Sequence, residues 1–337
     1  GETMYVTVTA YNYLPYEGSA LVIAPSGPYL VQGSVVVDDG GNGQANPGEV
    51  VDLGIWVKNI GIDTASSVFG LLSESDPYVS LSIDSSWYGD IPEDDSALSA
   101  PYFRFLVADT CPNSHTISFQ LELHDVDDSI WTVSPSVQVY APVLVYQDVG
   151  VLNDDNGNGI LDPGETGDLV VTLKNEGGAV AEGVTSVLST VSPYIVITDG
   201  SGDFGAIAPG ASVSNFGDPY TVTASDTTPI GADIEFVLEV VSGVLVDTFQ
   251  FGIDVGKNHY YLWNPDPTPG PGQQLDSILA ALGYGGDYGT TLPVDLSLYH
   301  AVFVCCGMYP NRYVIGSGSQ EAATLVDFLE NQEGRVY

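Results

Sequence analysis

The chain has 337 residues, more than one ordinary core organises, so several modules are expected. It carries 44 acidic residues against 6 Lys plus Arg, a formal net charge of −38, which excludes recognition of nucleic acid or anionic lipid through a basic patch. With 44% hydrophobic and 10% aromatic residues it is no disordered acidic tail, so the natural partners of its carboxylates are cations and water.

Residues 1–32 alternate as strands, with Met4, Val6 and Val8 on one face, then Ala20, Val22 and Ile23 before a Pro25-Ser26-Gly27 turn. Two or three strands are too few to close a sandwich. An internal repeat follows. The segment Asp38-Asp39-Gly40-Gly41-Asn42-Gly43-Gln44-Ala45-Asn46-Pro47-Gly48-Glu49 recurs 116 positions later as Asp154-Asp155-Asn156-Gly157-Asn158-Gly159-Ile160-Leu161-Asp162-Pro163-Gly164-Glu165. The same offset pairs Lys58-Asn59 with Lys174-Asn175 and Gly61 with Gly177, and it slips by one near the end, where Phe119 matches Phe236. Two copies of one domain are therefore expected, at 33–142 and 143–256. In each copy the strand after the loop alternates with period 2: Val51, Leu53, Ile55 and Val57 in the first, Leu169, Val171 and Leu173 in the second. Short strands separated by Gly, Pro, Ser and Asp predict immunoglobulin-like β-sandwiches.

After Lys257 the pattern changes. Residues 260–263 read as a strand and 264–271 as a Pro-rich loop. Leu275, Ile278, Leu279 and Leu282 mark a helix ended by Gly283, and residues 301–306 mark a strand buried on both faces. A second helix carries Ala322, Leu325, Val326 and Leu329, with Ser317 and Gln320 as its capping box, and 334–337 begins another strand. Residues 257–337 thus read as a partial α/β module with a parallel sheet. The fold class expected for the whole is mainly β: tandem sandwiches followed by this small module.

The second repeated loop fits the twelve-residue calcium pattern. Asp154, Asn156 and Asn158 take positions 1, 3 and 5, Gly159 the sharp turn, Ile160 a backbone carbonyl, Asp162 position 9 and Glu165 the bidentate closure. In the first loop Gly40 leaves position 3 without a side chain, so Asp38, Asn42, the Gln44 carbonyl, Asn46 and Glu49 make a weaker Ca²⁺ site. Asp, Asn and Gly also build ordinary turns, but duplication in register favours the metal. The surroundings are strand, so the expected role is structural pinning.

Residues Val6-Thr7-Val8-Thr9-Ala10 and Leu14-Pro15-Tyr16-Glu17-Gly18 resemble the end of the immunoglobulin-like domain behind the catalytic domain of secreted gingipain-like bacterial cysteine peptidases. The loop from Asn158-Gly159 to Pro163-Gly164-Glu165, with Lys174-Asn175-Glu176-Gly177, resembles the sandwich repeats C-terminal to such peptidases and in other bacterial cell-surface proteins. The last module resembles a glutamine-amidotransferase-like unit. The resemblance implies secretion and residence at the cell surface, and it places any peptidase domain upstream of Gly1. No signal peptide opens the chain, which therefore reads as a processed segment.

Catalytic candidates are weak. Cys305 and Cys306 end a strand, but His300 sits at its opposite end, about 17 Å away if extended. Both cysteines read as small core thiols, Cys111 with His115 and His124 reads as a turn and an outward strand position rather than a metal site, and Asp94-Asp95 and Asp127-Asp128 read as solvated turns. The longest apolar stretch, 301–308, is too short to span a membrane. The expected function is a non-catalytic, extracellular, calcium-stabilised structural protein that polymerises with itself through strand edges or end modules. The alternative is a set of accessory modules of a secreted cysteine peptidase, serving secretion, anchoring or docking.

Overall fold

The computed structural model describes residues 2–22, 26–266, 270–307, 312–332 and 334–337. Ile23 and Pro25 of the expected turn, residues 267–269 of the Pro-rich loop and Met308 lie outside the described residues. The chain divides into two compact units, Gly1–Pro142 with Gly177–Ala179, and Val143–Glu176 with Val180–Tyr337.

The first unit opens with an antiparallel hairpin, β1 (Glu2–Val8) and β2 (Tyr16–Val22), in which each residue of β1 faces one of β2. Met4, Val6 and Val8 do share a face, yet all three are exposed, because among the described residues no third strand or opposing layer covers them.

A β-sandwich follows. One sheet joins β3 (Leu30–Asp38), β4 (Val50–Asn59), β6 (Val79–Ile83), β8 (Ser96–Leu98) and β9 (Phe103–Val107) in the order β3-β4-β9-β6, with β8 also on β4. The other joins β5 (Ala65–Ser73), β7 (Ser85–Ile91), β11 (Gln120–His124) and β12 (Ile130–Val133) in the order β12-β11-β5-β7. The short strands β10 (Thr116–Ser118) and β13 (Ser136–Gln138) pair beside it. Alternation decides which face is buried: Val51, Leu53, Ile55 and Val57 of β4 are fully buried against Val68, Leu121 and Leu123 of the second sheet. Since β3 already begins at Leu30, the sandwich takes in the last residues of the segment 1–32.

The second unit repeats this plan with β14 (Leu144–Leu152), β15 (Thr166–Asn175), β16 (Ala181–Ser189), β17 (Ile195–Asp199), β18 (Ser201–Ile207), β19 (Ser212–Ser214), β20 (Tyr220–Ala224), β21 (Ala232–Ser242) and β22 (Leu245–Val255). Its sheets run β14-β15-β20-β17, with β19 on β15, and β18-β16-β21-β22. The one-residue slip has a structural counterpart. β21 and β22 form one long hairpin, whereas the first copy breaks the equivalent run at Phe119 into β10 and β11.

Each copy holds its two sheets together with a fully buried asparagine at the end of its central strand. Asn59 Oδ1 accepts from the Tyr29 and Gly61 amides, and its Nδ2 donates to the carbonyls of Asp63 and Ile91, the last residue of β7 in the opposite sheet. Asn175 likewise accepts from Val143 N–H and donates to Ile207 O, at the end of β18.

The terminal module is a parallel sheet in the order β24-β23-β25-β26, from β23 (Asn258–Trp263), β24 (Gly286–Gly289), β25 (Tyr299–Val304) and β26 (Arg335–Val336), with helices α1 (Gly270–Ala281) and α2 (Gln320–Asn331). Three expectations are corrected here. The N-cap of α2 is Ser319, whose hydroxyl accepts from Ala322 N–H, not Ser317. The buried face of α2 is Leu325 with Phe328, while Val326 and Leu329 stay half-exposed, because the sheet meets only one stripe of the helix. The buried strand ends at Val304, which leaves Cys305 and Cys306 at its mouth.

Replacing Asn59 by Ala strands two amides and two carbonyls, so unfolding free energy is expected to fall by about 3 kcal/mol. Asn59→Asp, which cannot donate, should cost a similar amount, and an unchanged urea midpoint in both variants would contradict the role given to this amide.

Candidate functional site

The two repeated loops carry the densest chemistry. In the second, Asp154 accepts from Asn158 N–H at 2.7 Å and from Gly159 N–H at 3.3 Å, curling the chain around its carboxylate. Glu165 reaches back across the loop: Oε1 accepts from Asn156 N–H and Oε2 from Asp162 N–H, both at 2.9 Å. Asn156 Oδ1 accepts from Asn158 N–H and Asn158 Oδ1 from Ile160 N–H, while both side-chain amides donate to Asp162. All six residues thus belong to one compact coil.

The donor set fits a hard cation. Every candidate atom is oxygen, and the Asn156, Asn158 and Glu165 oxygens, each accepting one backbone N–H, retain a second lone pair, whereas Asp154 Oδ2 accepts two and shares the Gly159 amide with Oδ1. Asp154 is only 9% exposed and Glu165 5%, and neither has a basic partner among the described residues. Buried carboxylates without counter-charge are costly, and a divalent ion is the economical remedy. Among the described residues no group of three or more His, Cys, Asp or Glu side chains converges on a metal position, so the set depends on the Asn oxygens and the Ile160 carbonyl as well. That composition suits Ca²⁺ and not zinc.

The first loop is built differently from the sequence alignment. Asp38 is exposed at the end of β3, opposite Asp52, and accepts only from Gly40 N–H. Its neighbour Asp39 gathers the amides of Gly41, Asn42 and Gly43, the task Asp154 performs in the second loop. These amides, Gly41 and Gly43 foremost, hold Asp39 below the usual carboxylate range. Burial pushes Glu49 up, with the Asn46 amide opposing and the charge of Asp39 adding to it. Asn46 N–H donates to Glu49, its side-chain amide to Tyr140 O, and Asn42 Oδ1 accepts from Gln44 N–H. Strand register supplies the signal that identity missed: Asp38 pairs with Asp52 but Leu152 pairs with Asp168, so Asp38 corresponds to Leu152 rather than Asp154.

The second loop is also the seat of the α/β module. Gly285 lies against it so closely that a Cβ there would stand 2.3 Å from Asn158 O, and one on Gly159 would stand 2.9 Å from Gly283 O. Gly285 N–H donates to His259 Nδ1 at 3.2 Å. His259 and His300 lie with ring centroids 6.4 Å apart, and His300 Nε2 is 3.5 Å from Asp254, which also faces Lys257 at 3.7 Å. Both imidazoles are held below their ordinary range, His259 by burial and His300 by burial together with Lys257, against the pull of Asp254.

The catalytic candidates do not assemble. Cys305 and Cys306 follow the C-terminal end of β25, whereas His300 is near its start. They are half-buried rather than core residues, and burial, with Asp266 adding, pushes both thiols up, away from the reactive thiolate. A crevice of about 490 Å³ lies outside the ends of the parallel strands, lined among others by Trp263, Asp266, Tyr313 and Glu321. Cys111 is buried in its turn, His115 bonds Asp76 at 2.7 Å, and His124 stacks on Phe69, so those three do not meet.

No protein-family model and no curated protein matches the chain. Among solved structures, the C-terminal domain of the Streptococcus agalactiae AgI/II polypeptide BspA aligns with 66% of this chain and 99% of its own, at 10% identity and a TM-score of 0.34. Red sea bream transglutaminase aligns with 68% of this chain and 31% of its own, at 16% identity and 0.26, and E. coli alpha-2-macroglobulin with 72% and 18%, at 13% and 0.25. Likenesses this distant carry no argument about function. The fold class rests on the sheets themselves.

A histidine kept neutral by its site stabilises the fold above its unfolded value, near 6.5, and that contribution is lost as pH falls through the lower folded value. Protonated His259 Nδ1 can no longer accept from Gly285. Acidification below 6.5 is therefore expected to release the Gly285 amide to hydrogen exchange, and His259→Leu with His300→Gln should flatten that pH dependence.

Proposed function

We propose that the protein is a non-catalytic, extracellular structural component whose two sandwiches are pinned by Ca²⁺ and which assembles with copies of itself. The observation that carries this reading is the pair of buried, uncompensated carboxylates, Asp154 and Glu165, in a loop of all-oxygen donors that occurs twice. In the second loop Asp154, Asn156, Asn158, the Ile160 carbonyl, Asp162 and Glu165 would hold the ion. In the first, Asp39 joins Asn42, the Gln44 carbonyl, Asn46 and Glu49, in place of Asp38. The ion would supply positive charge that six basic residues in 337 do not.

Self-assembly is supported by the N-terminal hairpin. Tyr5 and Tyr16 on its strands and Tyr11, Tyr13 and Leu14 in its turn are each more than two-thirds exposed, and among the described residues neither edge of this two-stranded sheet is paired. An isolated hairpin is marginal in water, and strand addition from a neighbour would complete it. A head-to-tail contact of that kind need not close and generates filaments. The accessory-module reading requires no such polymer.

Millimolar calcium is expected to raise the melting temperature and EDTA to lower it, the ion stabilising the fold by about 3 kcal/mol per site at a hundredfold excess over Kd. Asp154→Ala should remove the response of the second sandwich and Asp39→Ala that of the first, whereas Asp38→Ala leaves it. A melting curve indifferent to EDTA would sink the metal reading. Negative-stain images of the calcium-loaded chain should show ordered polymers, and uniformly dispersed monomers would leave only the accessory-module reading standing.

A further inference from the structure

We propose that the outward face of the β12-β11-β5-β7 sheet of the first sandwich is a glycan-binding surface that takes a neutral polysaccharide chain laid across the strands. Strand register aligns one row of side chains over all four strands: Trp87 of β7 stands opposite Phe69 of β5, Phe69 opposite His124 of β11, and His124 opposite Ile130 of β12. Phe69 and Trp87 have ring centroids 5.7 Å apart and tilted by 51°, and Phe69 and His124 are stacked at 5.0 Å. Trp87 at one end is 58% exposed and Ile130 at the other 60%. The next row on the same face, about 7 Å farther along the strands, holds Ser85, Leu71, Glu122 and Thr132, which adds two hydroxyls and a carboxylate beside the rings.

The fold does not require this row. In the second sandwich the same positions of the same sheet hold Asp203, Thr185, Val241 and Val246 in the same register, and that copy builds its core without a single ring there. Trp87, exposed with the contiguous row beside it and replaced by Asp203 in the other copy, is therefore free to serve something outside the domain.

Charge selects the occupant. The four strands contain no Lys or Arg, which excludes polyanions. A cationic partner finds carboxylates over the whole surface, so nothing would direct it to this face. What distinguishes the face is its rings and hydroxyls, and a neutral, hydroxylated chain is the ligand for which those alone decide binding. The row steps across strands about 4.8 Å apart, close to the length of one pyranose unit in an extended glycan.

The test titrates the full chain with cellohexaose, xylohexaose and laminarihexaose, read by calorimetry and by indole fluorescence. At least one should bind saturably, and Trp87→Ala should weaken it about tenfold or more. A variant carrying the second copy's residues, Trp87→Asp with Phe69→Thr, should abolish binding with its melting temperature preserved. The inference is overturned if no glycan binds, if binding survives both variants, or if a Lys-rich peptide and no glycan binds in a Trp87-dependent way.

Discussion

The buried carboxamide of Asn59, and its counterpart Asn175, is the constraint from which both sandwiches follow. A chain that leaves one sheet for the other must expose backbone groups at the crossing, and a fully buried crossing must pair them. Asparagine meets this need because one side chain both accepts and donates. It reaches Tyr29 just ahead of β3, the loop after its own strand and the last residue of a strand in the opposite sheet. The following glycine is part of the same device: a Cβ at Gly61 would lie 2.3 Å from Gly27 O. The Lys-Asn-x-Gly signature shared by the copies is thus a structural staple, and the ladder positions of β4 and β15 are set from its anchored end.

Contacts outside the coil divide the two loops into different kinds of element. The first is stapled to its own sandwich through Asn46 and Tyr140. The second bears the α/β module on its tip, where Asn158 and Gly159 meet Gly283 and Gly285. One duplicated motif therefore closes a domain in one place and joins a domain to a neighbouring module in the other. The histidine pair beside that junction, with Asp254 and Lys257, makes its surroundings titratable.

Much of this was legible in the residues. Period-2 alternation located β4 and β15 and their buried faces, and the repeat implied a shared topology that the two sheet orders reproduce. What escaped did so for physical reasons. β24 is Gly-Asp-Tyr-Gly, without the apolar run that marks a parallel strand, and among the described residues its one ladder partner is β23, with the Tyr299 hydroxyl donating to Asp287 and Asn264 to the Tyr288 hydroxyl. Letter identity aligns Asp38 with Asp154 and cannot see that the two copies leave their first strands at different register. The row from Trp87 to Ile130 is invisible in one dimension, since its four residues come from four strands and meet only through the register of three ladders.

The placement of first and last strands has a mechanical consequence. In the second sandwich β14 is an edge of one sheet and β22 an edge of the other. A tensile load entering through the first and leaving through the last cannot be carried along a single hydrogen-bonded ladder. It must pass through the layer between the sheets, where Tyr146 stacks on Phe251 and Phe251 on Phe236. The ring pair that couples the two edges is Tyr146 of β14 with Phe251 of β22, and a cavity cut at Phe251 would loosen that coupling while leaving both backbone ladders paired.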